Sequence, residues 1–269
     1  MTDQPYSASS KAPVAMRPSR VLRRIRDGRV ARCLKLNTTD PRVTEIFAQA
    51  GADALWLCME HVATTWEQAE NQVRAAKLYG TDTILRVARG SYSDYVRGLE
   101  IDAAGLMVPH VMDADDARAV RDMTKFAPLG RRAVDGGNAD ALYAQLGLTD
   151  YLDQANRERF VFCQIEDPEA LDHMEAIADI DGVDGLFFGP GDLSVAMGIP
   201  GAINDPAIEA ARRNLAATAR RHGKIAATVC APDRIGEMVD MGYNFLSVGA
   251  DVIALGQYAE RTLATFGDL

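Results

Sequence analysis

Eight short, β-rich apolar runs recur from end to end of the chain, each followed by a polar stretch with helical spacing. In order they read VARCLKLN, ALWLCM, TILRV, GLMVPH, VFCQIE, GLFFG, IAATV and FLSVG. Between them stand helix candidates such as DPRVTEIFAQAGAD, TWEQAENQVRAAKLYG, DADDARAVRDMTKFAPLG and DPAIEAARRNLAATARRHGK, with Asp or Thr near the start and often Gly at the end. Strands that read apolar on both faces and alternate with helices argue for a parallel sheet wrapped by helices. Eight such units in about 240 residues predict a (β/α)8 TIM barrel of the α/β class rather than an open sheet. No linker divides it, so residues 18 to 269 are expected to form a single domain behind a disordered tail over residues 1 to 17.

Composition narrows the function by exclusion. A net charge of -9 leaves no broad basic surface for phosphates, so neither nucleic acid nor an anionic membrane is an expected partner. No apolar run approaches the roughly 18 residues of a membrane span, and the polar start of the chain lacks a signal's apolar core, which makes the cytoplasm the expected compartment. Cys33, Cys58, Cys163 and Cys230 form no Cys-x-x-Cys pair and read as reduced. The basic cluster from Arg17 to Arg29 reads as a solvated helix that packs Val21, Leu22 and Ile25 on the body. No glycine-rich dinucleotide motif or P-loop is present.

In a barrel the active site sits at the carboxyl ends of the strands. The second run ends on Glu60 and His61, the third carries Arg86, the fifth ends on Gln164 and Glu166, and the sixth enters GPGD with Asp192. Residues two apart share a face, and neighbouring strands lie about 4.8 Å apart, so carboxylates from the fifth and sixth units can reach one cation. Two oxygen ligands suit a hard ion such as Mg²⁺ or Mn²⁺. Taken singly, Glu166 and Asp192 also read as helix caps, and His61 as a loop residue. Arg86 in an apolar strand needs a partner. The long connection between the fourth and fifth runs, with PLGRRAVDGGNAD, reads as an extended lid or interface.

The stretches MEH, LRVARG, GLMVPHVMDADDARA, VFCQIEDPEAL and GVDGLFFGPGDLSVAMG together resemble the HpcH/HpaI aldolase family, the metal-dependent class II pyruvate aldolases, over roughly residues 25 to 265. The resemblance implies an aldolase that cleaves or forms a 4-hydroxy-2-oxo acid through a pyruvate enolate, with a small 2-oxo acid and an aldehyde as its partners. It implies Glu166 and Asp192 as ligands of Mg²⁺ or Mn²⁺, with Co²⁺ as a further option, and Gln164, Gly191 and Asp192 at the keto acid. It also implies Arg86 at the enolate, His61 as the base, and Glu100 reaching that base from an adjacent subunit. Hexamers that exchange the terminal helix VIALGQYAERTLATFGDL are expected on the same ground. Cys58 stands where the family commonly has an acid, and Arg131 to Ala133 departs from the family's lid sequence.

Three other readings share these residues. An oxaloacetate-type decarboxylase or a malyl- or citramalyl-type lyase would use the same enolate site. A Schiff-base aldolase would use Lys35, at the end of the first run. A non-catalytic barrel would serve binding or assembly.

Overall fold

The computed structural model describes residues 14–267. Residues 1–13, most of the expected tail, lie outside the described residues. By Met16 the chain is already packed: its side chain is buried and its N–H donates to Gln154 Oε1 at 2.7 Å. Arg17 pairs with Asp82 at 2.6 Å, so the folded body begins earlier than residue 18.

All eight apolar runs are strands: β1 Ala31–Leu36, β2 Ala54–Cys58, β3 Asp82–Arg86, β4 Gly105–Val108, β5 Phe160–Ile165, β6 Gly185–Phe188, β7 Ile225–Cys230 and β8 Phe245–Ala250. They pair in parallel in chain order, and β8 returns to β1 to close the barrel. Helices α1 Arg20–Arg26, α2 Pro41–Gln49, α3 Trp66–Lys77, α4 Tyr92–Glu100, α5 Ala114–Thr124 and α6 Leu148–Glu158 lead up to β5. Beyond it come α7 Pro168–Leu171, α8 Met174–Ala178, α9 Pro190–Ala196, α10 Pro206–Arg221, α11 Ile235–Met241 and α12 Asp251–Ala264. None of the described helices is long and apolar enough to cross a membrane.

Alternation splits each strand between two cores. Outward Leu55, Leu57, Leu85, Leu106, Val161 and Leu186 join the helices in one continuous core, while inward Ala54, Trp56, Ile84, Phe160, Phe162, Phe187 and Phe245 fill the barrel. The inner rings meet edge-on or tilted, with Phe162 and Phe245 centroids 5.1 Å apart and Trp56 and Phe187 5.5 Å apart. Beside them Gly105 must stay small, because a Cβ there would lie 2.2 Å from the Phe160 ring.

The basic cluster does more than face solvent. Helix α1 lies across the amino ends of the strands, and its fully buried Val21 joins the barrel interior. Asp82, at the start of β3, accepts from Arg17, from the Ser19 hydroxyl at 2.6 Å and from the Val21 N–H at 2.9 Å. Asp53 gathers Arg20, Arg24 and Arg32 within 3.0 Å. Buried carboxylates at the strand starts need this compensation, which corrects the reading of the cluster as a solvated face; Arg23, Arg26 and Arg29 alone of its six arginines are exposed.

The long β4–β5 connection holds α5, a short 3-10 turn at Ala139–Ala141 and α6. Arg132, expected in a lid, is instead a strut. Its Nη2 lies 2.8 Å from Asp140 Oδ2 and 3.1 Å from the Tyr151 hydroxyl, and its guanidinium stacks 4.5 Å from the Phe126 ring centroid.

Candidate active site

Strand alternation brings the candidate residues together at the carboxyl end of the barrel. Lys35, Cys58, Arg86 and Gln164 are the last inward residues of β1, β2, β3 and β5, and Glu166 follows two positions after Gln164. Glu166 is buried and does not cap the next helix; Asp167 is the N-cap of α7. Its Oε1 accepts from the His110 N–H at 3.1 Å, and its Oε2 accepts from the Gln164 amide. Asp192 is likewise not a cap. Gly189 caps α9 and Pro190 is its first residue, which sets Asp192 on the third position of the helix.

Burial first, and the neighbouring Asp192 carboxyl with it, push Glu166 up to about 7. Gln164 Oε1 is buried and has no hydrogen-bond partner, and a Cβ at Gly189 would lie 2.6 Å from Glu166 Oε2. The glycine therefore keeps a cradle open against the carboxylate. Gly191 faces open space, with nothing within 4 Å of where its Cβ would stand. Among the described residues no group of three or more His, Cys, Asp or Glu is gathered for a metal. The Glu166–Asp192 pair supplies two hard oxygen donors and leaves other positions to substrate and water, which fits a divalent ion of the Mg²⁺ type.

Arg86 finds the partner that its burial requires. Its Nε lies 2.9 Å from Glu60 Oε2 as an ion pair without an aligned hydrogen bond, and its Nη2 donates to Cys58 Sγ at 3.2 Å. The guanidinium also stacks 4.7 Å from the centroid of Trp56, whose ring lies 4.8 Å from Lys35 Nζ. Glu60 thus orients Arg86, a role that sequence reading left unassigned.

His61 stands at the rim, 57% exposed, with Nε2 3.5 Å from Glu60 Oε2. Sequence reading missed His110, although it closes the fourth apolar run. This residue adopts φ +51°, a conformation uncommon outside glycine. Its Nδ1 lies 2.9 Å from Asp167 and 3.8 Å from Glu166, and its Nε2 3.9 Å from Glu60. Burial works to lower its pKa, but the three carboxylates outweigh that and raise it. His110 therefore joins the Arg86–Glu60 pair to the Glu166 side of the mouth.

Glu100 meets none of these groups within the chain. It lies at the end of α4 in a separate depression with Trp66, Glu70, Arg97, Asn138 and Tyr143, where burial raises its pKa.

The chain is similar over most of its length to known proteins. A curated 2-keto-3-deoxy-L-rhamnonate aldolase of Shigella boydii serotype 4 (strain Sb227) is 33% identical over 245 residues, covering 90% of this chain and 91% of its own. The crystal structure of an HpcH/HpaI aldolase from Desulfitobacterium hafniense DCB-2 superposes with a TM-score of 0.87 at 28% identity, covering 92% of this chain and 96% of that one. An HpcH/HpaI aldolase/citrate lyase family protein from Burkholderia cenocepacia J2315 gives 0.85 at 29%, covering 92% and 99%. The profile of the same family matches residues 33–256, and with eight strands closed around this site the chain belongs to the HpcH/HpaI aldolase/citrate lyase family.

Proposed function

We propose that the protein is a metal-dependent aldolase that cleaves or forms a 4-hydroxy-2-oxo acid, with pyruvate and an aldehyde as the two halves. The carrying observation is the Glu166–Asp192 carboxyl pair, which faces the barrel mouth beside the unpartnered Gln164 Oε1 and is linked through His110 and Glu60 to Arg86. Glu166 and Asp192 would hold Mg²⁺ or Mn²⁺. A bound divalent ion supplies Lewis-acid polarisation of the keto acid.

The chain's own residues do the rest. Gln164 and the backbone at Gly191 orient the keto acid. Arg86, pre-positioned by Glu60, presents positive charge where oxyanion charge develops, and needs no reorganisation to do so. His61 takes the proton of the 4-hydroxyl during cleavage, directly or through one water, and returns it during addition. Its exposed ring exchanges that proton with solvent. Trp56 and Phe187 close the floor of the site against water.

A neighbouring subunit completes this reading. Beyond Asp251, which accepts from the N–H groups of Asn37 and Thr38, α12 exposes Val252, Ile253, Leu255 and Tyr258, and Leu263 near its end. A groove of about 460 Å³ lies open over β1 and β8, lined by Val30, Leu34, Ile235, Val239, Leu246 and Val248. An exposed apolar helix and a bare apolar groove support exchange of α12 between copies in a closed oligomer such as a hexamer. Glu100 would act on His61 only across such an interface.

The test is pyruvate in D₂O with Mn²⁺ or Mg²⁺, followed by loss of the methyl proton signal in NMR. Metal-dependent exchange that EDTA and Glu166→Ala both abolish is the expected result. No exchange with metal demonstrably bound would reject enolate chemistry.

A further inference from the structure

The cations at the barrel mouth are not equally satisfied. Arg86 is paired with Glu60 at 2.9 Å, Arg212 with Glu209 at 3.3 Å, and Arg234 with Glu209 at 2.9 Å and Glu237 at 2.7 Å. Lys35 differs. Among the described residues no carboxylate oxygen comes within 4.0 Å of its Nζ, and its one close contact is the Trp56 ring at 4.8 Å. Placed as the last inward residue of β1, it is half-buried in the mouth of the barrel rather than spread on an outer surface. Burial first, and then the nearby Arg86 cation, lower its pKa, and the more distant charges of Glu60 and Asp192 offset this only in part.

What lies beside Lys35 is a cavity of about 410 Å³ at the ends of β7, β8 and β1. Ile203 and Val229 give it apolar walls, while Asn37 and Asn204 bring polar groups to its lining. The keto acid's own groups, Gln164, Glu166 and Asp192, belong to β5 and to α9 after β6. Pyruvate has one carboxylate, which Gln164 and a cation held by Glu166 and Asp192 would account for. The cavity that Lys35 and Trp56 both line is the space left for the second half of the substrate.

We propose that Lys35 receives an anionic group on the aldehyde half, so that the enzyme prefers aldehydes that carry a carboxylate or a phosphate over neutral ones of the same length. This rests on the aldolase reading above and names the substrate class of that site. A half-buried ammonium discriminates, because a neutral aldehyde leaves it without a charged partner while an anionic one makes a charge-assisted bond.

The full-length protein loaded with Mn²⁺ is assayed for addition of pyruvate to two matched pairs: 4-oxobutanoate against butanal, and glyceraldehyde 3-phosphate against glyceraldehyde. The wild type is expected to show a kcat/KM at least about tenfold higher for the anionic member of one pair, the size of one charge-assisted bond. Which pair shows it tells carboxylate from phosphate. Lys35→Met, or Lys35→Gln where the first does not fold, brings the ratio close to one, and Lys35→Arg keeps it above one. A wild-type ratio near one for both pairs overturns the assignment, as does a ratio that survives Lys35→Met or Lys35→Gln. Borohydride trapping of pyruvate on Lys35 also overturns it, since the residue would then be the nucleophile. Pyruvate exchange in D₂O is run on the same wild-type sample. Exchange without anion preference removes only the Lys35 assignment; absence of exchange removes the aldolase reading and this assignment with it.

Discussion

Arg86 Nη2 donates to Cys58 Sγ at 3.2 Å, while Nε of the same guanidinium lies 2.9 Å from Glu60. The charge of Arg86 is therefore balanced by Glu60, and the thiol is a weak, neutral acceptor beside it. Replacing the guanidinium removes the fixed positive contact to the enolate. Arg86→Ala is expected to lower the rate of metal-dependent pyruvate exchange by about 10²–10³-fold, whereas Cys58→Ser stays within a few-fold of wild type. Equal losses in both variants, measured by the NMR exchange rate, would show that the sulfur does more than accept a bond.

With Glu166 pushed up to about 7, about half of the metal-free molecules carry its proton at neutral pH. A cation must displace that proton, so affinity and pH are linked. The sign follows from the raised value: above about pH 7 the carboxylate is free and Mn²⁺ binding is insensitive to pH, while below it each pH unit weakens binding about tenfold. Titration of Mn²⁺ binding by electron paramagnetic resonance from pH 5.5 to 8.5 reads this directly. A flat profile below pH 7 would show that Glu166 is not the ligand.

The His61 ring pairs with Glu60, 3.5 Å away, and its backbone N–H donates to Cys58 Sγ at 3.4 Å. Loss of its ring should therefore remove proton transfer and leave the metal in place. His61→Ala is expected to lower kcat for cleavage by about 10²–10⁴-fold with unchanged Mn²⁺ affinity. Should cleavage persist at the wild-type rate, His110, on the far side of Glu60, becomes the group to replace next.

Asp82 is fully buried under α1 and accepts from Arg17, Ser19 and the Val21 N–H. Asp82→Ala strands all three donors at the floor of the barrel. The expected loss is about 3–5 kcal/mol in urea unfolding, against a small effect for Asp27→Ala, whose partner Arg29 is exposed. A loss below about 1 kcal/mol would mean that α1 is not held by this carboxylate.

Tyr258 and Leu255 are 64% and 54% exposed on α12. On the proposed exchange of α12, Leu255→Asp with Tyr258→Asp is expected to give a smaller species than the wild type in light scattering, with the barrel's circular dichroism retained. An unchanged mass would remove α12 from the interface.

The barrel itself was legible in the sequence. Eight apolar runs with helices between them leave parallel pairing as the arrangement that covers both faces of each strand, and period-two alternation places Arg86, Gln164 and Glu166 inward before any coordinates are known. Local pattern could not reveal partners. Glu60 read as the end of a strand until β3 brought Arg86 beside it, and His110 read as the tail of an apolar run until β5 brought Glu166 and Asp167 to it. Arg17, Arg20 and Arg24 read as solvated because the carboxylates that bury them lie 65, 33 and 29 residues away along the chain. Asp192 and Glu166, each readable alone as a cap, come together because β5 and β6 lie side by side, as the order of the runs already implied. Periodicity is a property of neighbours in sequence and fixes which face a residue occupies; the energy of a buried charge depends on neighbours in space, and those are set by which strands lie side by side.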